Sequence, residues 1–317
     1  MQPLVSIIVT SYNHSEYLEQ RMESLIHQDY NNREIIVIDD GSTDDSRQVL
    51  EKYKAYPNIH LVFLEKNTGY AHACNLGLKM SQGDYVMFAE CDDFNEANHV
   101  SALVTLLDCR PDVGVAYCQS HIVNEQGQII GNDFHNRDDA FKTLCRQDTA
   151  IPKETMSRFL LYACVIPNMS AALIRKGCID RVGGLSTQYR VCADWDFWCQ
   201  MAEHCSFYYI IAPLNYFRTH STTVRSTAGI SLHVIEYYKL LYNAFSKINM
   251  SFYEGFRFRV HCGIKWVNFI AVNPCEWLRH FPSLCRETMK YEKFSIVFLA
   301  LGIFANALRL LRKLMKI

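Results

Sequence analysis

The sequence predicts an α/β fold, a mostly parallel sheet flanked by helices, followed by a helical C-terminal region. Three observations carry this expectation. Short apolar runs alternate with helically spaced apolar residues from Val5 to Cys118. Polar clusters recur where those runs end, at Thr10, Asp39 and Glu90. Beyond Ser231 apolar residues recur only at helical spacing.

Taken in order, Val5 to Val9 reads as a buried strand. No basic segment precedes it, so it is not read as a signal peptide. Leu18, Met22, Leu25 and Ile26 keep helical spacing, and Glu34 to Ile38 is a second strand rich in β-branched residues. Ser42-Thr43-Asp44-Asp45, a capping hydroxyl followed by acids, suits a helix start. Ile59 to Leu64 is a third strand, followed by a helix from Tyr70 to Met80. Tyr85 to Ala89, after Gly83, is the fourth strand. Val100, Leu103, Val104 and Leu107 mark a helix, and Val113 to Cys118 returns to strand. Residues 120–165 are polar and irregular, with an exposed loop or short helix expected over 133–148. Val234, Ile235, Tyr238, Leu241, Tyr242 and Phe245 then share one helical face. The simplest division is one α/β domain over 1–225 and a helical region over 226–317.

Composition narrows the function classes. At 49% hydrophobic and 21% charged residues the chain is neither disordered nor fibrous. Lys and Arg number 32 against 33 Asp and Glu, and the lack of a basic excess argues against a nucleic-acid partner. The 13 cysteines form no C-x-x-C pair and are odd in number. They read as small buried hydrophobes in a reducing compartment, not as a disulfide framework or a zinc site.

The C-terminus is distinct. Residues 294–308 are almost wholly apolar. As a helix they extend about 22 Å, short of a ~30 Å hydrocarbon core. Ser295, Gly302, Asn306, Arg309, Lys313 and Lys316 fall on one small or polar stripe, and basic residues end the chain. This fits an amphipathic helix over 294–316 lying in a membrane interface, on the cytoplasmic face. Packing on the protein's own core or a partner, and a membrane span, are the alternatives.

In an open parallel sheet, ligands bind at the carboxyl ends of strands. Thr10-Ser11-Tyr12-Asn13, Asp39-Asp40-Gly41-Ser42 and Glu90-Cys91-Asp92-Asp93 would all stand there. Singly, each has a plain reading: a turn into a helix, or solvated loop acids. Together they converge, and adjacent carboxylates repel unless a cation compensates. Hard oxygen donors favour Mg²⁺ or Mn²⁺. No GxxxxGK[ST] loop and no GxGxxG follows the first strand, which disfavours a P-loop kinase or a dinucleotide enzyme.

These runs resemble family 2 glycosyltransferases of the GT-A fold. Val5 to Asn13, Ile36 to Asp44, Asn67-Thr68-Gly69, Asn75-Leu76-Gly77 and Glu90 to Asp93 stand in the family's order and spacing. Gly183-Gly184-Leu185 and Ala193 to Trp198 resemble its acceptor-side signature, so the match covers residues 3–225. The resemblance implies a nucleotide-sugar half over 1–118 and an acceptor half over 119–225. It implies a nucleotide-sugar donor, expected to be UDP-linked, and a glycan or lipid-linked acceptor. Thr10, Tyr12, Asp39 or Asp40 (Asp40 preferred), Asn67 and Glu90 would line the nucleotide site. Asp92, Asp93 and His220 would hold Mn²⁺ or Mg²⁺ with the diphosphate, the direct ligand of the two acids being open. Asp194 would be the catalytic base, with Asp196 the second candidate.

The chain departs from the family pattern at three positions. Glu90 stands for Asp, Cys74 for an Arg before Asn75, and Ala193 for a Glu before Asp194. The last two are what favours a non-catalytic sugar-nucleotide-binding scaffold as the alternative. A nucleotidyltransferase would need a Gly-rich basic loop where Ser11-Tyr12-Asn13-His14 stands. Tyr189, Trp195 and Trp198 are read either as a stacking surface for a sugar or as core.

Overall fold

A run buried on both faces reads as continuous apolar sequence, and β1 (Val5–Ser11) is buried at every position. The computed structural model describes residues 2–137, 139–166, 168–220, 229–272 and 274–314. They form two compact units, Met1–Thr223 and Val224–Ile317.

In the first unit β1 pairs in parallel with β2 (Arg33–Asp39) and β4 (Tyr85–Glu90), and β2 with β3 (Ile59–Phe63). Helices α1 (Ser15–Ile26), α2 (Ser46–Glu51), α3 (Tyr70–Met80) and α4 (His99–Cys109) connect and follow these strands. The acids Asp44-Asp45 precede the first turn of α2 rather than lying in it: Asp45 is the N-cap residue, and Asp44 Oδ1 accepts from Ser46 N–H at 3.0 Å. The preceding turn is held elsewhere: Thr43 N–H donates to Asn13 Oδ1 (2.8 Å), and Ser15 N–H to Asp44 Oδ2 (3.0 Å).

The second half of the sheet is mixed. The short strand β5 (Phe94–Asn95) and the long β6 (Val113–Val123) lie beyond the parallel set. β6 continues past Cys118 and pairs with a hairpin partner, β7 (Ile129–Asn132). The expected loop over 133–148 is a 3₁₀ turn and α5 (Asp139–Leu144), followed by β8 (Thr149–Ile151) and α6 (Lys153–Leu160). β9 (Ala172–Arg175) then inserts antiparallel between β4 and β6. α7 (Lys176–Val182) and α8 (Ala193–His204) lead to β10 (Ser206–Arg218), parallel to β6 and antiparallel to β5 and β8. The described sheet therefore runs β3-β2-β1-β4-β9-β6-β10-β5.

The second unit is helical: α9 (Ile230–Ser246), α10 (Phe252–Val272), α11 (Pro274–Thr288) and α12 (Ser295–Leu314). Val234, Tyr238, Leu241 and Tyr242 of α9 are buried with Trp266 and Phe258 of α10. α10 and α12 touch backbone to backbone. A Cβ on Gly302 would lie 2.4 Å from the Gly263 carbonyl carbon, and one on Gly263 would lie 1.9 Å from Phe298 O. Ser295 is fully buried against Thr288, and Asn306 donates to Asn268 of α10 at 3.3 Å. The described members of the small and polar stripe, Ser295, Gly302 and Asn306, thus meet neighbouring helices. The side chains of Arg309, Arg312 and Lys313, and Lys316 as a whole, lie outside the described residues. No described helix is long and apolar enough to cross a membrane.

Candidate active site

The parallel register sets three polar strand ends side by side: Ser11 pairs with Asp39 and Thr10 with Glu90. Thr10 is nearly buried and Tyr12 is 42% exposed, so the ring stands out from the sheet edge. Asn13 takes φ 54°, which Asn tolerates better than most residues, and its amide reaches back to Thr43.

The two acids of the second cluster are both buried but point to different partners. Asp39 accepts from Ser42 N–H (3.0 Å) and Ser42 Oγ (2.6 Å), closing its own turn. Asp40 accepts from Thr68 N–H (2.8 Å), Thr68 Oγ1 (2.7 Å) and Gly69 N–H (2.8 Å). It therefore ties the Asn67-Thr68-Gly69 loop to the end of β2. Gly41 between them has φ 74°, and a Cβ there would meet the Lys66 carbonyl carbon at 2.5 Å. Asn67 is exposed at the tip of the tied loop.

At the end of β4 the neighbouring aspartates diverge. Asp92 Oδ2 lies 2.8 Å from His220 Nε2. Asp93 turns inward: Oδ1 accepts from Arg218 N–H at 3.0 Å, and Oδ2 is buried. Burial, then the Asp92 charge, push Asp93 up to about 7, against the pull of Arg21. His220 is raised by its hydrogen bond to Asp92, while burial depresses His14 beside it. The two rings meet edge-on at 5.0 Å, and His14 Nδ1 lies 3.4 Å from Cys91 Sγ. Of the three expected metal residues, the structure brings together Asp92 and His220.

Two arginines that the sequence reading missed hold this arrangement. Arg21 is fully buried and donates to Glu90 O (2.8 Å), Ser170 Oγ (2.8 Å) and Asn95 Oδ1. Burial depresses its pKa, opposed by the Asp93 and Asp92 charges. The signal was present: Arg21 falls on the apolar face of α1, between Leu18 and Leu25. Arg218 donates through Nε to Asp92 O (2.7 Å) and through Nη1 to Glu125 O (2.6 Å), and lies over Tyr17 at 4.6 Å. It fixes the end of β10 to the aspartate loop and so delivers His220, two residues later, to Asp92.

Asp194 opens α8 and its Oδ1 accepts from Trp195 N–H at 2.8 Å. Its charge and that of Glu90 both act on the buried Tyr70 hydroxyl, pushing that pKa up together with burial, the larger cause. Asp196 instead accepts from Gln200 Nε2 at 2.5 Å, along its own helix. Asn75 anchors the approach to α8, donating to Leu185 O and accepting from Leu185 N–H, both at 2.8 Å. Cys74 is buried and its thiol, raised by burial, lies near Tyr70 and Thr10. Trp198 is fully buried against Phe197 and Phe207, and Tyr189 is buried too, so these two are core and not a sugar platform. Trp195 donates to Leu160 O at 2.8 Å.

The family model described as glycosyl transferase family 2 matches residues 6–183, more than half of the chain. The chain belongs to glycosyl transferase family 2. Within this family it is 28% identical over 240 residues to an uncharacterized glycosyltransferase of Haemophilus influenzae, covering 74% of this chain and 75% of that one. It is 44% identical over 93 residues to the putative teichuronic acid biosynthesis glycosyltransferase TuaG of Bacillus subtilis, covering 29% and 37% of the two chains. Among solved structures it resembles S. aureus TarS in complex with UDP-GlcNAc, with TM-score 0.68, 17% identity, and 90% and 80% of the chains covered. It also resembles the mannosyltransferase PcManGT of Pyrobaculum calidifontis in complex with GDP-Man and Mn²⁺, with TM-score 0.57, 18% identity, and 97% and 88% covered. The fold is that of the GT-A glycosyltransferases, and the protein is a glycosyltransferase.

Proposed function

We propose that this glycosyltransferase moves a sugar from a UDP-linked donor to a hydroxyl of a glycan or lipid-linked acceptor, inverting the anomeric centre. The observation that carries the reading is the separation of duties between two segments: Asp92 with His220 at the end of β4, and Asp194 in the first turn of α8. Residues 1–118 hold the donor and 119–225 the acceptor. Thr10, Tyr12, Asp39, Asp40, Asn67 and Glu90 form the nucleotide site, with Asp40 acting by holding the Thr68–Gly69 loop in place.

A divalent ion fits the residues present. Among the described residues no group of three His, Cys, Asp or Glu side chains is placed to hold one alone. Two donors 2.8 Å apart suit an ion that takes its remaining ligands from a diphosphate, as Mg²⁺ commonly does. Asp92 and His220 would hold Mn²⁺ or Mg²⁺, which when bound supplies charge neutralisation at the leaving diphosphate. Asp93 supports this pair from beneath rather than from the ligand shell. Asp194 takes the proton from the acceptor hydroxyl as its oxygen attacks the anomeric carbon. A base on the face away from the diphosphate makes the displacement in-line and therefore inverting. The second unit attaches the enzyme peripherally to the cytoplasmic face of the membrane, beside a lipid-linked acceptor.

The test is a panel of sugar nucleotides scored for nucleotide release and donor binding. One UDP-sugar should be turned over. Chelation should abolish donor binding, and Mn²⁺ or Mg²⁺ should restore it while Ca²⁺ does so poorly. Tight UDP binding in excess chelator, unchanged by added Mn²⁺, overturns the metal assignment, and binding without turnover of any donor favours the scaffold reading.

A further inference from the structure

The net charge of −1 hides an asymmetry between the units. Residues 1–223 carry 18 Lys and Arg against 28 Asp and Glu, a formal −10. Residues 224–317 carry 14 against 5 Glu and no Asp, a formal +9. The basic unit also exposes most of the apolar surface. Of 17 exposed large hydrophobic side chains among the described residues, 10 belong to it, with Phe252 at 92%.

The exposed apolar side chains of α12 are ordered. Ile296, Val297, Ala300, Ile303, Phe304 and Ala307 are exposed and recur at helical spacing, a single face without a polar residue. Lys293, also exposed, stands one turn before Val297 at the rim of this face. The opposite face is the small and polar one: Gly302 touches Gly263, Ser295 meets Thr288, and Asn306 meets Asn268. In water such a helix would turn the other way, burying its apolar face. Small residues that bring backbones together, with polar side chains bonded between helices, are how helices pack when lipid covers the outside.

We infer that the exposed face of α12 is a docking surface for an anionic lipid bilayer, with the helix lying in the interface and the unit's basic residues meeting the headgroups. This rests on the proposed membrane attachment and names the surface and lipid class that produce it. Charge selects the partner: a +9 unit is drawn to anionic lipid and screened by salt, whereas a second copy would bring another +9 to the same face. The short apolar stretch of the helix selects the pose, since no described helix is long and apolar enough to cross a membrane.

The experiment is flotation of the full chain with vesicles of phosphatidylcholine alone and of an equal mixture with phosphatidylglycerol. Sugar-nucleotide turnover is measured on the same samples. The full chain should float with the mixed vesicles, and high salt should release it only in part because the apolar face stays inserted. The double variant Val297→Glu, Phe304→Glu should lose bound fraction by roughly tenfold or more, because a charge in the hydrocarbon is costly. Both positions are exposed, so helicity and turnover should stay at the parent's level. The inference is overturned if the parent ignores mixed vesicles, or if the double variant floats equally well. It is also overturned if the parent is a dimer that this variant dissociates while neither binds lipid, which would assign the face to a second copy. Vesicle binding without turnover supports the docking surface and strikes the glycosyl-transfer reading alone.

Discussion

Arg21 in α1 and Ser295 in α12 are both sealed from solvent, one in each unit, and what surrounds them differs. Around Arg21 the buried polar groups converge on the end of the sheet. They hold Glu90 and the aspartate loop from beneath, under a surface that is acidic and polar. Around Ser295 the buried hydroxyls of Thr288 and Ser295 join two helices, and the outer face of α12 is apolar. Both obey the rule that buried polar atoms find partners. In the first unit these bonds fix the side chains around the candidate site. In the second they leave the apolar face of α12 exposed.

The largest expected effect tests how tightly the first unit is closed. His99 is fully buried, and burial, then the Arg21 charge, push its pKa down to about 3. The folded chain keeps His99 neutral down to that pH, whereas the unfolded chain protonates it near 6.5. The unfolded state therefore binds more protons in this window, and stability falls as pH drops from about 6.5 toward 3. The loss attributable to His99 should be on the order of 5 kcal/mol at its limit. Chemical denaturation of the parent and of His99→Gln across that range measures it as a difference. Parallel pH profiles would show that the site opens before it titrates.

A smaller effect separates the two acids of α8. Asp194→Asn keeps shape and hydrogen bonding but cannot accept a proton. Turnover should fall by at least ~10²-fold, with donor affinity little changed. Asp196→Asn, whose carboxylate is engaged with Gln200, should retain turnover. The reverse outcome would move the base by two residues.

The smallest effect contrasts the two faces of α12. Gly302→Leu places a side chain where backbones touch and should destabilise the second unit by about 1–3 kcal/mol. Phe304→Glu, on the exposed face, should change stability in water by no more than about 0.5 kcal/mol. Thermal melting followed by circular dichroism measures both. Equal losses would mean that the exposed face is covered, and the contrast between the units would disappear.

The strands β1, β2 and β4 were legible because burial on both faces leaves a largely apolar run, and polar residues end each run at the candidate site. The antiparallel β9 was not legible. Its four residues carry no alternation long enough to read, and its place between β4 and β6 depends on partners far along the chain. The same limit applied to α12. Its polar stripe was visible in sequence, but periodicity separates two faces without saying which of them meets water.

The sequence by itself determined the α/β class, the order of the elements that bear the site, and the candidate residues, because these follow from local patterns of apolar and polar side chains. Only the tertiary structure decided that Asp92 and not Asp93 stands beside His220. Only it decided that Asp40 holds the Thr68–Gly69 loop, and that the small face of α12 is the inner one. The reason is physical. Orientation at these positions is set by buried hydrogen bonds and backbone contacts between segments many residues apart, from Arg218 to Asp93 and from Gly302 to Gly263, and no local pattern encodes them.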